Sequence, residues 1–352
     1  SIDSYNVAVG DNAGGAVTTG VQNTLLGGLA GDALTDADEN VAVGISALSS
    51  DTLGSRSVAV GAGALFTQNF TTATNAYNTA VGYHAGNDIT TGTQNTFIGG
   101  LSGDATTTGV RNTALGYASL GSNSTGDFNT AIGRTALENN TTADGNTAVG
   151  VASLAQNTEG ADNVAVGYLA LNLNTTASSN TAVGKSAGAA VTTGVENSII
   201  GALAGDALTI GYQNVVNGFQ ALSAETTGSR NVAIGVNALN ASNMGGSTSV
   251  TSYNVAVGAL AGASVTTGVQ NTLVGGLAGD ALTDADFNVA IGIAALGADT
   301  LGSRTVAIGS GALDSQNFTT ATDTYNVAVG FEAGTAVTTG TRNTIVGGLA
   351  GD

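Results

Sequence analysis

Asn6-Val7-Ala8-Val9-Gly10 is the phrase whose reading decides the fold, because it returns twenty times along 352 residues. The phrases begin at Asn6, Asn23, Asn40, Ser57, Asn78, Asn95, Asn112, Asn129, Asn146, Asn163, Asn180, Asn197, Asn214, Asn231, Asn254, Asn271, Asn288, Thr305, Asn326 and Asn343. Sixteen of the nineteen steps are 17 residues long, and the other three are 21, 23 and 21. The longer steps carry polar insertions near 66–76, 241–252 and 314–324. A short fixed period broken only by polar outgrowths predicts a solenoid, in which each repeat is one turn and insertions leave as outward loops.

Counted from its Asn, each turn has Val, Thr or Ser at position 2 and Val, Ile or Leu at position 4, with Asn217 the one exception. These two positions share one face of a strand, while position 3, mostly Ala, points the other way. Both faces are therefore apolar. Position 5 is Gly in all twenty turns, which implies positive φ or a neighbour too close for a Cβ. A second extended segment is expected at positions 12 to 14, as in Val17-Thr18-Thr19. Runs of β-branched residues with Gly every few positions carry no helical stripe. The expected fold is all-β: a parallel β-solenoid, or β-roll, of about twenty 17-residue turns, continuous over 1–352 and roughly 95 Å long at about 4.8 Å per strand.

Composition narrows the function. Seven basic residues against 25 acidic give a net charge of −18, which argues against a nucleic-acid backbone or an anionic membrane surface as partner. Charged residues are only 9% of the chain, so its surface is expected to be a neutral coat of Thr, Ser, Asn and Gly. The lack of Cys excludes disulfides and thiolate chemistry, and the lack of Pro suits an unbroken backbone ladder. No basic, apolar signal segment and no long apolar run occur, so no membrane insertion is expected within this window.

The Asn at position 1, as at Asn6, Asn23, Asn40, Asn78, Asn95 and Asn112, reads as a structural ladder, with Gly10, Gly27 and Gly44 at its corners. Acidic residues at position 10 (Asp32, Asp104, Asp206, Asp280 and Asp352) avoid consecutive turns, which keeps like charges apart. Five of the six arginines fall at position 17: Arg56, Arg111, Arg230, Arg304 and Arg342. They are expected to brace an exposed corner. The single histidine, His84, cannot build a metal site or a triad alone, and no enzyme activity or cofactor is expected. Asp36, Asp38 and Glu39, and likewise Asp284 and Asp286, are candidate calcium ligands by their oxygen chemistry, although they lack the spacing of known calcium loops. Position 13 is Thr in 15 of 19 complete turns, a rank that would suit ice binding if a second rank lay beside it on the same face.

Residues 1–104 recur as 249–352, a super-repeat of 248 residues, which suggests a window of a longer repetitive chain. The phrases Asn6-Val7-Ala8-Val9-Gly10, Asn129-Thr130-Ala131-Ile132-Gly133 and Asn231-Val232-Ala233-Ile234-Gly235 resemble the Asn-Ser-Val-Ala-Ile-Gly repeat of YadA-like heads in trimeric autotransporter adhesins. Similar phrases occur in phage tail fibres. Head turns in that family are typically shorter than 17 residues. The resemblance implies an extracellular or cell-surface structural fibre, or an adhesin shaft, and a trimer. Independently, two apolar strand faces cannot both be filled by one narrow interior, so one is expected to meet identical subunits, with a dimer or a lateral filament as the other outcomes. In the narrower arrangement small residues lie inside each turn, and Val9, Val43, Val60, Val81, Ile98 and Ile132 form the interface.

Overall fold

The computed structural model describes residues 4–352 and divides into two compact units, Ser1–Thr176 and Ala177–Asp352. Each unit is a stack of turns with ten three-residue strands, Val7–Val9 through Val164–Val166 in the first and Thr181–Val183 through Thr344–Val346 in the second. Within a unit the strands occupy positions 2 to 4 and pair in parallel, residue for residue, with the next turn, 17 residues on except across the insertions. Val7 lies opposite Thr24, Ala8 opposite Leu25 and Val9 opposite Leu26. No helix occurs among the described residues. The fold is a parallel β-solenoid of about twenty turns.

The apolar faces part in one direction only. Position 3 is the interior: Ala42, Ala59, Ala80, Ala114 and Ala131 are fully buried, as are the larger Leu25 and Phe97. Position 8, Ala or Ser throughout, is buried beside it. The remaining volume is filled from one of two sides. Where position 9 is Gly, position 12 brings in an apolar side chain, as with Gly31 and Leu34 or Gly86 and Ile89, except at Gly103, where position 12 is Thr106 and the Phe97 ring takes the space. Where position 9 is Leu, as at Leu48, Leu137 and Leu154, position 12 is polar. A Cβ on Gly31 would lie 2.8 Å from both Leu25 and Leu34, so the narrow interior admits one large residue or the other.

The corner depends on position 5. Gly27 has φ +137°, and a Cβ there would sit 2.4 Å from the carbonyl oxygen of Gly44 in the next turn. Positive φ and close approach thus act together.

Two expectations change. The segment at positions 12 to 14 is a bend instead of a strand: the N–H groups of Thr18, Thr19 and Gly20 all donate to the Thr35 carbonyl, at 3.0, 3.3 and 3.2 Å. Three donors can converge on one acceptor only if the backbone curves, and positions 13 and 14 then both lie on the surface. Nor do the insertions lie wholly outside. Thr71–Ala73 are exposed, but Gln68, Phe70 and Ala76 are buried, and Thr74–Asn75 add a strand to Gly54–Ser55. The insertions before Asn254 and Asn326 make the same return pairing, through Val250–Thr251 and Thr322–Asp323.

Gly27→Ala should therefore destabilise by about 2–4 kcal/mol. Its neighbour Gly28 has no such φ and nothing closer than 4.0 Å to an added Cβ, so Gly28→Ala should stay within about 0.5 kcal/mol. Denaturant melts of the two variants check this, and equal effects would contradict the corner geometry.

Candidate functional site

The Asn at position 1 spends both ends of its amide. Asn23 donates Nδ2–H to the Ala37 carbonyl of its own turn (2.7 Å), and its Oδ1 accepts the backbone N–H of Asn40 (3.0 Å). Asn6 does the same with Gly20 (2.7 Å) and Asn23 (2.8 Å). The pattern runs on: Asn78 Oδ1 accepts from the Asn95 N–H at 3.0 Å and Asn95 Oδ1 from the Asn112 N–H at 2.9 Å, while Asn40, Asn95 and Asn112 donate to Gly54, Gly109 and Gly126. One donation closes a turn and one acceptance fixes the next. Each removes a buried polar group that would otherwise cost about 1–3 kcal/mol.

The two turns lacking this Asn begin at Ser57 and Thr305, and both carry four-residue insertions. There a buried glutamine bridges the gap. Gln68 donates to Ser57 Oγ (3.0 Å) and to Asp51 Oδ2 (2.6 Å), and accepts from Asn78 Nδ2 (2.8 Å). Gln316, Asp299 and Asn326 repeat the arrangement. Asp51 also receives the Gly54 and Phe70 N–H groups, so a buried carboxylate anchors the insertion where it leaves the turn. At the third insertion Glu225 takes that place, accepting from Gly228 N (2.7 Å) and Ser242 Oγ (2.8 Å).

A second ladder escapes the reading by position, which treats 12 to 14 as extended surface. Asn123, Asn140, Asn157 and Asn174, at position 12 of successive turns, are fully buried. The Nδ2 groups of Asn140, Asn157 and Asn174 donate to the Oδ1 one turn back, at 2.9, 2.9 and 2.7 Å, and Asn123, first in the ladder, donates to the Gly126 carbonyl (3.0 Å). The available signal is that Leu at position 9 always accompanies a polar residue at position 12, which marks position 12 as sharing one interior with position 9.

Val9, Val43, Val60, Val81, Ile98 and Ile132 stand in register on the outer strand face, with Leu26 and Leu115 in the same column. None is buried, and Ile98 and Ile132 are 38% and 36% exposed. The column is a continuous half-exposed aliphatic stripe.

Around the turn from it, position 17 stacks acceptors, arginines and aromatics. Arg56 donates to Glu39 (2.8 Å) and to the Tyr77 hydroxyl (3.0 Å), and its guanidinium lies 5.8 Å from the Tyr77 ring. Arg111 bonds Gln94 and lies 5.3 Å from Phe128, Arg230 bonds Gln213 and Tyr253, and Arg304 pairs with Asp323 over Phe287. The hydrogen bond from Arg56 holds the Glu39 carboxyl below its ordinary value.

The acidic runs turn to different neighbours. Asp36 accepts from Thr19 Oγ1 and Asp38 from the Val21 N–H, and Asp284 and Asp286 repeat this with Thr267 and Val269. No group of three acidic or histidine side chains is placed to hold a metal among the described residues. His84 lies with its ring 4.1 Å from that of Tyr83. The position-13 hydroxyls donate to the next turn's carbonyl, as from Thr107 to Ser124 (3.0 Å) and from Thr141 to Thr158 (3.1 Å).

Burial pushes the carboxyls of Asp51, Asp104, Asp206 and Asp280 above their ordinary value. Each binds its proton more tightly folded than unfolded, so its contribution is fully present below the unfolded pKa and is lost as pH rises through the folded one. Melting temperature should therefore rise as the pH is lowered from neutrality through the carboxyl range toward the ordinary aspartate value of about 4, and Asp104→Asn should flatten the rise. A melting temperature that falls steadily over that range would contradict it. Separately, Asn157→Ala should cost about 2 kcal/mol by orphaning its ladder neighbours, measured by denaturant unfolding.

No family model and no curated protein matches this chain.

Proposed function

We propose that the chain is a structural shaft of an extracellular fibre or adhesin, whose outer strand face packs against copies of itself. The observation that carries this reading is the stripe from Val9 to Ile132, an aliphatic column left half exposed after Ala, Leu and Phe from positions 3, 8, 9 and 12 have filled the interior. A side chain of this size contributes about 1.5–3 kcal/mol when fully buried, and a continuous exposed column of them marks an interface. Three copies about a common axis is the arrangement in keeping with the resemblance to YadA-like heads. The sparse charge and the Thr-, Ser- and Asn-rich remainder suit a surface that works outside the cell by presenting the same relief many times.

One observation favours a second reading, ice binding. Positions 13 and 14 share the surface, so Thr91, Thr108, Thr125 and Thr142 stand exposed beside Thr90, Thr107, Ser124 and Thr141 as two parallel ranks. Against it, the inner rank spends its hydroxyl protons on backbone carbonyls, as from Ser124 to Thr141 (3.0 Å). Thermal hysteresis of the pure protein separates the readings: the shaft predicts none, and a clear signal would replace it with ice binding.

Sedimentation equilibrium at micromolar concentration tests the shaft. An oligomer is expected, and Ile98→Asp with Ile132→Asp should lower its order while the circular dichroism is unchanged. A wild-type monomer would overturn the proposal.

A further inference from the structure

Position 6 follows the corner glycine. In turns 1 to 8, counted from Asn6 and all within the first unit, it reads Asp11, Gly28, Ile45, Ala62, Tyr83, Gly100, Tyr117 and Arg134. Large and small residues alternate, and Ile45, Tyr83 and Tyr117 are 62%, 61% and 54% exposed. Over Ala62, between Ile45 and Tyr83, lies a slot of about 380 Å³ that Gly63, Phe66 and His84 also line. The row ends in charge: Arg134 is the one arginine off position 17, and neither it nor Asp11 makes an ion pair among the described residues.

Reversed about the midpoint between turns 4 and 5, this row complements itself. Asp11 then meets Arg134, Gly28 meets Tyr117, Ile45 meets Gly100, and Ala62 meets Tyr83. Every bulky side chain faces a small one, and the only anion faces the only cation. Position 7 obeys the same pairing, with Leu29 against Ala118, Ser46 against Leu101 and Gly63 against His84. A two-fold axis lying in the contact plane and perpendicular to the strand stack performs this operation, because it reverses the order of turns while keeping each position opposite itself. A rotation about an axis parallel to the stack would instead set Tyr83 against Tyr83 and Arg134 against Arg134, which costs steric and like-charge repulsion.

We propose that the chain pairs with a second copy of itself, antiparallel, across this corner, the partner's Tyr83 entering the slot over Ala62. The pairing rests on the self-association reading above, but it uses a different edge of the turn and the opposite polarity. Eight turns at roughly 4.8 Å each make a contact about 38 Å long, on the scale of a standard interface of about 800 Å² a side.

The chain's lack of cysteine makes cross-linking a clean test. Gly28 accepts a side chain, as its surroundings are open to 4.0 Å. Gly28 and Tyr117 are five turns apart in one chain, about 24 Å, far beyond the reach of a disulfide. Under mild oxidation, the Gly28→Cys/Tyr117→Cys double variant of the full chain should form a covalent dimer, and so should a mixture of the two single variants. Neither single variant alone should cross-link. Self-linking of Gly28→Cys would mean parallel copies and would overturn the pairing, as would failure of the double variant to cross-link. In sedimentation, Arg134→Asp should weaken association about tenfold, and Asp11→Arg/Arg134→Asp should restore it. Association indifferent to both changes defeats the corner pairing alone, whereas a wild-type monomer defeats it together with the shaft.

Discussion

The hydrogen bond from the backbone N–H of one Asn to the side-chain oxygen of the Asn one turn earlier is the contact on which the rest of this structure depends. Three-residue strands are too short to hold a turn by pairing alone, since each fixes only a few dihedrals. The position-1 amide supplies what is missing. Its nitrogen closes the turn on the position-15 carbonyl and its oxygen sets the height of the next turn, so one side chain specifies both size and pitch. Because every turn meets only its neighbours, stability accumulates turn by turn, as in other repeat arrays.

That constraint explains the departures from it. An insertion lengthens the path from position 1 to the closing carbonyl and removes the partner of the amide nitrogen. At Ser57 and Thr305 the Asn is given up, and Gln68 and Gln316 supply the amide from another position. At Asn231, whose turn carries the longest insertion, the Asn is kept and its Nδ2 is left without a partner, while Ser252 still bonds its Oδ1 (2.8 Å). The buried carboxylates Asp51, Glu225 and Asp299 occur at these three places, each collecting backbone N–H groups that the displaced chain would otherwise leave unsatisfied.

Much of this was legible in the sequence. The 17-residue period placed the strands, and the invariant glycine marked a corner where both positive φ and crowding exclude a Cβ. The direction of the strand faces was not legible, because Val at positions 2 and 4 and Ala at position 3 are equally apolar; enclosed volume decides, and position 3 is Ala in most turns, with a larger side chain such as Leu25 or Phe97 in a few. The Thr-rich segment reads as strand by propensity, yet becomes a bend because three N–H groups share the Thr35 carbonyl, a tertiary contact with no local signature. The ladder of Asn123, Asn140, Asn157 and Asn174 was hidden for a related reason: polar residues read as surface unless position 9 is seen to exchange volume with position 12. The outer stripe was visible as a repeat of Val and Ile, but what it touches lies beyond one chain.

Native-state hydrogen exchange tests the ladder most directly. If the side-chain oxygens hold the stack together, the backbone amides of Asn112, Asn129 and Asn146, which donate to those oxygens at 2.9, 2.9 and 3.0 Å, should exchange as slowly as strand amides such as that of Ala131. Exchange of these amides as fast as that of the exposed insertion tip at Thr71 and Thr72 would contradict the account.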